Sequence, residues 1–247
     1  MLSVMDQWVR NRALLEVIAL HPADAEAAEA GGADRLVLVG SMRSGGLAPE
    51  PAVVSTVVRA TSLPIRAMLR LSEGYGTTGG EVARLIGLAS AYLSAGAEGL
   101  VLGFLNGDLE VDEGVCVAII DSVTGTPWTF HRALDSALDT DRAWRQVREL
   151  PGVDAVLTAG SAIDVEHGID GLTTRASADQ GVARLAVVGG GLRPEHVPWL
   201  LRAGIGAIHV GSSVRPGASW DKAYVDAGYV RSWRLLLDDH VRRHATS

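Results

Sequence analysis

Short apolar runs alternate with longer amphipathic stretches along the whole chain. Eight runs rich in Val, Ile, Leu and aromatic residues predict β-strands at 14–20, 34–39, 65–70, 99–103, 128–131, 155–158, 185–188 and 207–210. The stretches between them predict helices at 23–30, 50–60, 80–95, 112–122, 140–150, 165–177 and 194–202, with a C-terminal helical region from Tyr229. Eight strands that each precede a helix, over about 250 residues, predict an α/β fold of the (β/α)₈ barrel type.

A glycine joint repeats where predicted helices lead into strands. Gly31-Gly32, Gly96 and Gly204 each follow an alanine at a helix end. Glycine adopts positive φ without steric cost, so it closes a helix tightly before the next strand. Because no Pro- or Ser-rich linker divides the chain, we expect an N-terminal extension at 1–13 and one barrel domain with a C-terminal helical region at 14–247.

Composition narrows the classes of partner and compartment. The 247 residues have a net charge of −7 without a basic cluster, which argues against nucleic acid and anionic membranes as partners. The single lysine, Lys222, lies near the C-terminus and makes Schiff-base chemistry an unfavoured mechanism. The single cysteine, Cys116, in an apolar helical stretch, indicates a core residue and a reducing compartment. No secretory or membrane-spanning run is present in the sequence, so we expect a cytoplasmic protein.

The segment Thr129–Asp135 combines an imidazole, a guanidinium and a carboxylate where a predicted strand ends. Active sites of such barrels lie at the carboxyl ends of the strands. Alternation along each strand sends five polar side chains into the barrel: Glu16, Arg66, Arg70, His131 and His209. Arg132 and Asp135 are expected just above them.

Two interpretations of these buried polar groups stay open, because an unpaired buried charge is costly. In the first, they form a structural network in which Glu16 pairs with Arg66 or Arg70; we favour it for Glu16 and Arg66. In the second, which we favour for Arg70, His131 and His209, the strand ends bind a ligand.

An enzyme built this way would use Arg70 and Arg132 to clamp a small anion. His131 or His209 would be the general acid or base, and Asp135 would orient the imidazole. The candidate catalytic set is therefore His131, His209, Arg70, Arg132, Asp135 and Glu16.

Glycine-rich segments follow the last two predicted strands. Gly189, Gly190 and Gly191 follow the seventh, and Gly211 and Ser212 follow the eighth. Backbone N–H groups of these two loops bind phosphate in many barrels. The alternative is that the glycines only make tight turns.

A metal site is a competing idea, since His131 and His209 with a carboxylate could bind a divalent ion. The sequence has no helical pair of histidines at i, i+4 and no Cys-x-x-Cys motif, so we assign no metal ligand.

Several of these motifs together resemble the CutC family, named for copper homeostasis, whose fold is a (β/α)₈ barrel. They include Leu15-Glu16-Val17, Ala30 to Arg35, Arg70 after Met68-Leu69, Thr129 to Ala133 with Asp135, Gly189 to Gly191, and His209. The resemblance implies copper as the ligand.

The family pattern has cysteines where this chain has Ile18, Val39 and Val210, and acidic residues where it has Val37 and Leu20. Thiolates are the ligands that Cu(I) prefers, so their loss argues against copper binding through these positions.

Three functions follow as hypotheses. The first is a CutC-like protein of copper homeostasis; the second is a barrel enzyme acting on a small anionic or phosphorylated metabolite; the third is a non-catalytic scaffold. Trp199, Trp220 and Trp233 could lie in the interface of a homo-oligomer, or could pack between helices.

Overall fold

The computed structural model describes residues 12–245, so most of the predicted N-terminal extension lies outside the described residues. Eight parallel strands close into a barrel in chain order. Their bounds are β1 Leu14–Ala19, β2 Arg35–Leu38, β3 Ile65–Met68, β4 Gly99–Leu102, β5 Trp128–Phe130, β6 Val153–Thr158, β7 Ala186–Val188 and β8 Ala207–Val210. The predicted (β/α)₈ fold and all eight predicted strands are confirmed.

Helices surround this barrel. They are α1 Pro22–Gly31, α2 Pro51–Val58, α3 Gly79–Ser94, α4 Glu113–Asp121, α5 Thr140–Glu149, α6 Val165–Ala178, α7 Gln180–Leu185, α8 Val197–Arg202 and α9 Ala227–Ala245. The short helix α7 was not predicted. It follows α6 directly, because Asp179 both ends α6 and caps α7 by accepting from the Gly181 N–H. No loop therefore separates the two helices in the sequence.

The strands bury their outward-facing residues against the helices. This burial is why the apolar runs in the sequence predicted the strands. Leu15, Val17, Trp128 and Phe130 are fully buried in this layer. The predicted glycine joints adopt left-handed conformations, with φ of 91° at Gly32, 99° at Gly96 and 86° at Gly204. Among the described residues, none of the helices has both the length and the apolar character needed to cross a bilayer.

The barrel interior has two layers. Near the amino ends of the strands, Arg66 donates to Thr129 and to both carboxylate oxygens of Asp154. Near the carboxyl ends, apolar side chains cluster around Ile18 and Met68. The second layer forms the floor of a cavity.

Candidate functional site

A cavity of about 260 Å³ opens at the carboxyl ends of the strands. Its polar lining comprises Arg70, His131, Arg132, His209, Ser212 and Ser213, with the backbone of Gly190, Gly191 and Gly211. Its apolar lining includes Ile18, Val37, Val39, Met42, Met68 and Trp220. Asp and Glu are absent from this lining, so its charged side chains are all basic.

Glu16 contacts both Arg35 and His209 because β1 lies between β2 and β8 in the barrel. Glu16 is level with Arg35 on β2 and with His209 on β8. Its carboxylate accepts hydrogen bonds from Arg35 Nε at 2.5 Å and from His209 Nδ1 at 2.7 Å. The structural network expected for Glu16 exists, but its partners are Arg35 and His209, not Arg66 or Arg70.

Glu16 is fully buried and still ionised. Burial alone would raise its pKa, but the charge of Arg35 and the hydrogen bond from His209 outweigh burial and lower the pKa to about 2. An ionised Glu16 requires a proton on His209 Nδ1. In neutral His209 the lone pair is then on Nε2, which donates to and accepts from no described residue, so this residue can act as a general base.

His131 differs from His209 in having no carboxylate partner. Its Nδ1 accepts a hydrogen bond from the Ala133 N–H at 3.2 Å, which places the proton of the neutral ring on Nε2. That Nε2 is buried without a partner among the described residues. Burial and the nearby charge of Arg70 lower the pKa of His131 to about 3. His131 is therefore neutral, and its Nε2–H has no hydrogen-bond acceptor among the described residues.

Arg70 ties two loops together at one side of the cavity. Its guanidinium donates to the carbonyl oxygens of Ser44, Gly46 and Gly74 at 2.6, 3.3 and 3.0 Å, and lies 5.0 Å from the ring centre of Tyr75. Burial lowers the pKa of Arg70, although the group remains charged at neutral pH. Its positive charge reaches the cavity without a directly bound carboxylate.

Arg132 forms the opposite basic wall. Its Nε donates to Asp135 at 2.9 Å, and Nη2 donates to the Ser161 carbonyl at 3.0 Å. Asp135 also accepts from Thr158 and from the Ala159 N–H. Asp135 therefore orients Arg132, not an imidazole as the sequence had suggested.

The glycines of the last two loops allow side chains to approach closely. A Cβ on Gly189 would lie 2.7 Å from His209 Cδ2, one on Gly190 would lie 2.7 Å from Arg132 Nη1, and one on Gly211 would lie 2.5 Å from the Trp220 ring. These contacts explain why larger residues would not fit.

Most backbone N–H groups of the two loops have no partner among the described residues. Those of Gly190, Gly191, Gly211, Ser212 and Ser213 form no hydrogen bond there. The N–H of Gly189 donates to the Thr158 carbonyl at 3.1 Å, so this N–H is not available to an anion. Gly189 was predicted as an anion-binding residue, and the structure removes it from that role.

Three residues of the cavity wall were not predicted from the sequence. Met42, Tyr75 and Trp220 lie in loops, where strand alternation gives no direction. Trp220 lines the cavity, and Trp233 is buried, whereas Trp199 on α8 is 59% exposed. Of the three tryptophans considered for an interface, only Trp199 is on the surface. Lys222 is exposed and is not part of the cavity lining.

The model of the CutC family matches residues 13–214. The chain belongs to the CutC family. A CutC family protein of Klebsiella pneumoniae strain 342 is 35% identical over 198 residues, covering 80% of this chain and 79% of the relative. One from Enterobacter sp. strain 638 is 31% identical over 231 residues, covering 93% of this chain and 92% of the relative.

A solved structure shares the fold. A CutC from Streptococcus agalactiae, described as a candidate copper homeostasis protein, superposes with a TM-score of 0.72 at 20% identity. The match covers 81% of this chain and 98% of that one. At this identity the likeness establishes the barrel and not the ligand.

A thiolate copper site does not fit the described side chains that line this cavity, which include the thioethers of Met42 and Met68 but no cysteine. Ile18, Val39 and Val210, at which we expect cysteines in the family pattern, carry hydrocarbon side chains. The described residues contain no group of three or more His, Cys, Asp or Glu side chains able to hold a metal ion. Two guanidinium groups would also repel a cation. The described cavity lining therefore lacks the thiolates that Cu(I) prefers.

Proposed function

We propose that the cavity binds a small metabolite through a phosphate group. The observation that carries this proposal is the group of unpaired backbone N–H donors at Gly190, Gly191, Gly211, Ser212 and Ser213, beside Arg132. Unpaired amides in barrel loops 7 and 8 are a common phosphate site. These five residues are half-buried or exposed, so their N–H groups are accessible, and an oxyanion would bind several of them at once.

We also propose that the site is catalytic, by proton transfer at the bound anion. His209 would take or deliver a proton through Nε2, while Glu16 holds its Nδ1–H and stabilises the imidazolium. His131 would donate its unpartnered Nε2–H to a substrate oxygen that gains negative charge. The volume of about 260 Å³ lies just below the range of about 300–1,000 Å³ for drug-sized ligands, so the substrate is small.

Copper binding at this cavity is not part of the proposal. A role in copper homeostasis, as the name of the Streptococcus agalactiae relative suggests, would have to operate without a thiolate site here. Titration of the purified protein with Cu(I) tests this directly. Binding in the cavity, lost on changing Met42 or His209, would contradict our account.

Isothermal titration with inorganic phosphate tests the anion site. We expect wild-type binding in the millimolar range or tighter, and weakening by about tenfold or more in Arg132→Gln, since one charged hydrogen bond contributes about 1.5–3 kcal/mol. Arg142→Gln is the matched control, because Arg142 pairs with Glu110 on the outside of the barrel. Absence of binding in the wild type would refute the proposal.

A metabolite mixture tests catalysis separately. Wild-type protein should consume a small anionic compound that His209→Gln leaves unchanged, as followed by mass spectrometry. Phosphate binding without any turnover would retain the anion site and refute the catalytic role.

A further inference from the structure

We propose that the substrate is amphipathic, with an oxyanion at one end and an unsubstituted alkyl or aryl group at the other. This inference rests on the proposed function, since it takes the anion site as given. It comes from the unequal chemistry of the two cavity walls.

The part of the cavity wall that β1, β2 and β3 form is hydrocarbon, and it adjoins loop 8, where a Cβ on Gly211 would lie 2.8 Å from Ile18 Cδ1. It is built by Ile18 on β1, Val37 on β2, Val39 just after it, and Met68 on β3, all in one apolar cluster with Met42 and Trp220 packed against it. Strand alternation turns Ile18, Val37 and Met68 inward. The aliphatic and thioether side chains of this wall offer a polar group no strong hydrogen-bond donor or acceptor.

Trp220 completes the wall and is fixed in place. Its ring lies against the Gly211 backbone and 4.8 Å from the Arg215 guanidinium carbon. Arg215 is itself held by a buried ion pair with Asp24 at 2.8 Å and by the Ile18 carbonyl oxygen at 3.3 Å. The aromatic wall is thus formed before any ligand binds.

Trp220 and Arg215 lie beyond residue 214, where the family match ends. The hydrocarbon wall includes Ile18 and Val39, two positions at which we expect cysteines in the family pattern.

The two walls predict a graded preference. Each methylene buried against hydrocarbon should tighten binding by about three- to fourfold, until the cavity is full. A hydroxyl on the same carbon skeleton would lose its water without gaining a partner, and would weaken binding. Sugar and polyol phosphates are therefore poor ligands.

Isothermal titration with inorganic, methyl, ethyl and propyl phosphate tests this in the wild-type protein. Glycerol 3-phosphate is the matched polar probe, since it has the same three carbons as propyl phosphate and two added hydroxyls. We expect affinity to rise along the series, and propyl phosphate to bind about tenfold or more tightly than glycerol 3-phosphate.

Two substitutions locate the preference. Trp220→Ala should remove the rise in affinity along the alkyl phosphate series while inorganic phosphate still binds. Val37→Thr, which keeps the shape of the side chain, should weaken the binding of propyl phosphate selectively. Trp199→Ala is the control, because that tryptophan is exposed on α8. An alkyl preference unchanged in both Trp220→Ala and Val37→Thr would overturn the assignment of the wall.

The outcomes separate the two proposals. If inorganic phosphate binds and the series is flat, or glycerol 3-phosphate binds best, the amphipathic substrate is refuted and the anion site stands. If none of the phosphates binds, both proposals fail.

Discussion

The two halves of the barrel interior differ in the partners of their charged side chains. In the half near the amino ends of the strands, Arg66 is matched by Asp154, and one layer higher Arg35 is matched by Glu16. In the cavity at the carboxyl ends, Arg70 donates to backbone carbonyl oxygens, and the lining contains no acidic side chain. The lower charges neutralise one another. In the cavity, Arg132 is paired with Asp135, whereas Arg70 has no carboxylate partner among the described residues and leaves a positive charge for a ligand.

Glu16 is the point where the two halves meet. It neutralises Arg35 on one neighbouring strand and orients His209 on the other. The comparison therefore predicts that substitutions in the lower half change stability, and that substitutions in the cavity change binding and pH dependence.

Glu16→Gln should have the largest effect on stability. It leaves Arg35 buried without a counter-charge, and loss of one partner from a buried pair costs about 3–5 kcal/mol. Urea denaturation followed by circular dichroism measures this change. A cost below about 1 kcal/mol, the value for a surface pair, would show that the lower pairs do not stabilise the fold.

Asp154→Ala should cost less, about 2 kcal/mol, because the Asp154 side chain is 30% exposed and water screens the pair. Phosphate affinity should stay unchanged. Asp141→Ala is the control; Asp141 pairs with Arg175 on the surface, and we expect a loss of less than about 1 kcal/mol. Equal losses in the two variants would remove the distinction between interior and surface pairs.

His131→Asn should have a smaller effect, visible in acid. Folded His131 stays neutral down to a pKa of about 3, whereas the unfolded chain takes up a proton near 6.5. The stability that this difference contributes is fully present above pH 6.5 and falls as the pH drops toward 3. Asparagine can keep the acceptor for the Ala133 N–H.

The measurement is the free energy of unfolding of both proteins between pH 7 and 4.5, a range in which the contribution of Glu16 is common to the two. The slope of the free energy of unfolding against pH should be smaller in His131→Asn than in the wild type, by the equivalent of one bound proton. Identical slopes in the two proteins would show that His131 is not held neutral.

The sequence predicted the barrel and the inward direction of Glu16, Arg66, His131 and His209, because strand alternation is a local property. It did not predict that Glu16 pairs with Arg35 and His209. That pairing depends on the register of β1 with β2 and β8, which no single strand encodes. Asp135 was placed near the site, but its partner Arg132 depends on the 3₁₀ turn at Arg132–Ser136.

Loop residues were the least predictable. Trp220 reaches the cavity because Arg215 pairs with Asp24, a residue 191 positions away in sequence. Gly189 differs from its neighbours only because its N–H reaches the Thr158 carbonyl. Such contacts between distant segments have no periodicity to reveal them.

The most direct test of the central claim is an amide NMR titration of the wild-type protein with inorganic phosphate. We predict that the backbone N–H signals of Gly190, Gly191, Gly211, Ser212 and Ser213 shift most and saturate together, while that of Gly189 shifts less. If these signals do not move with phosphate, or move only with Cu(I), the cavity is not the anion site described here.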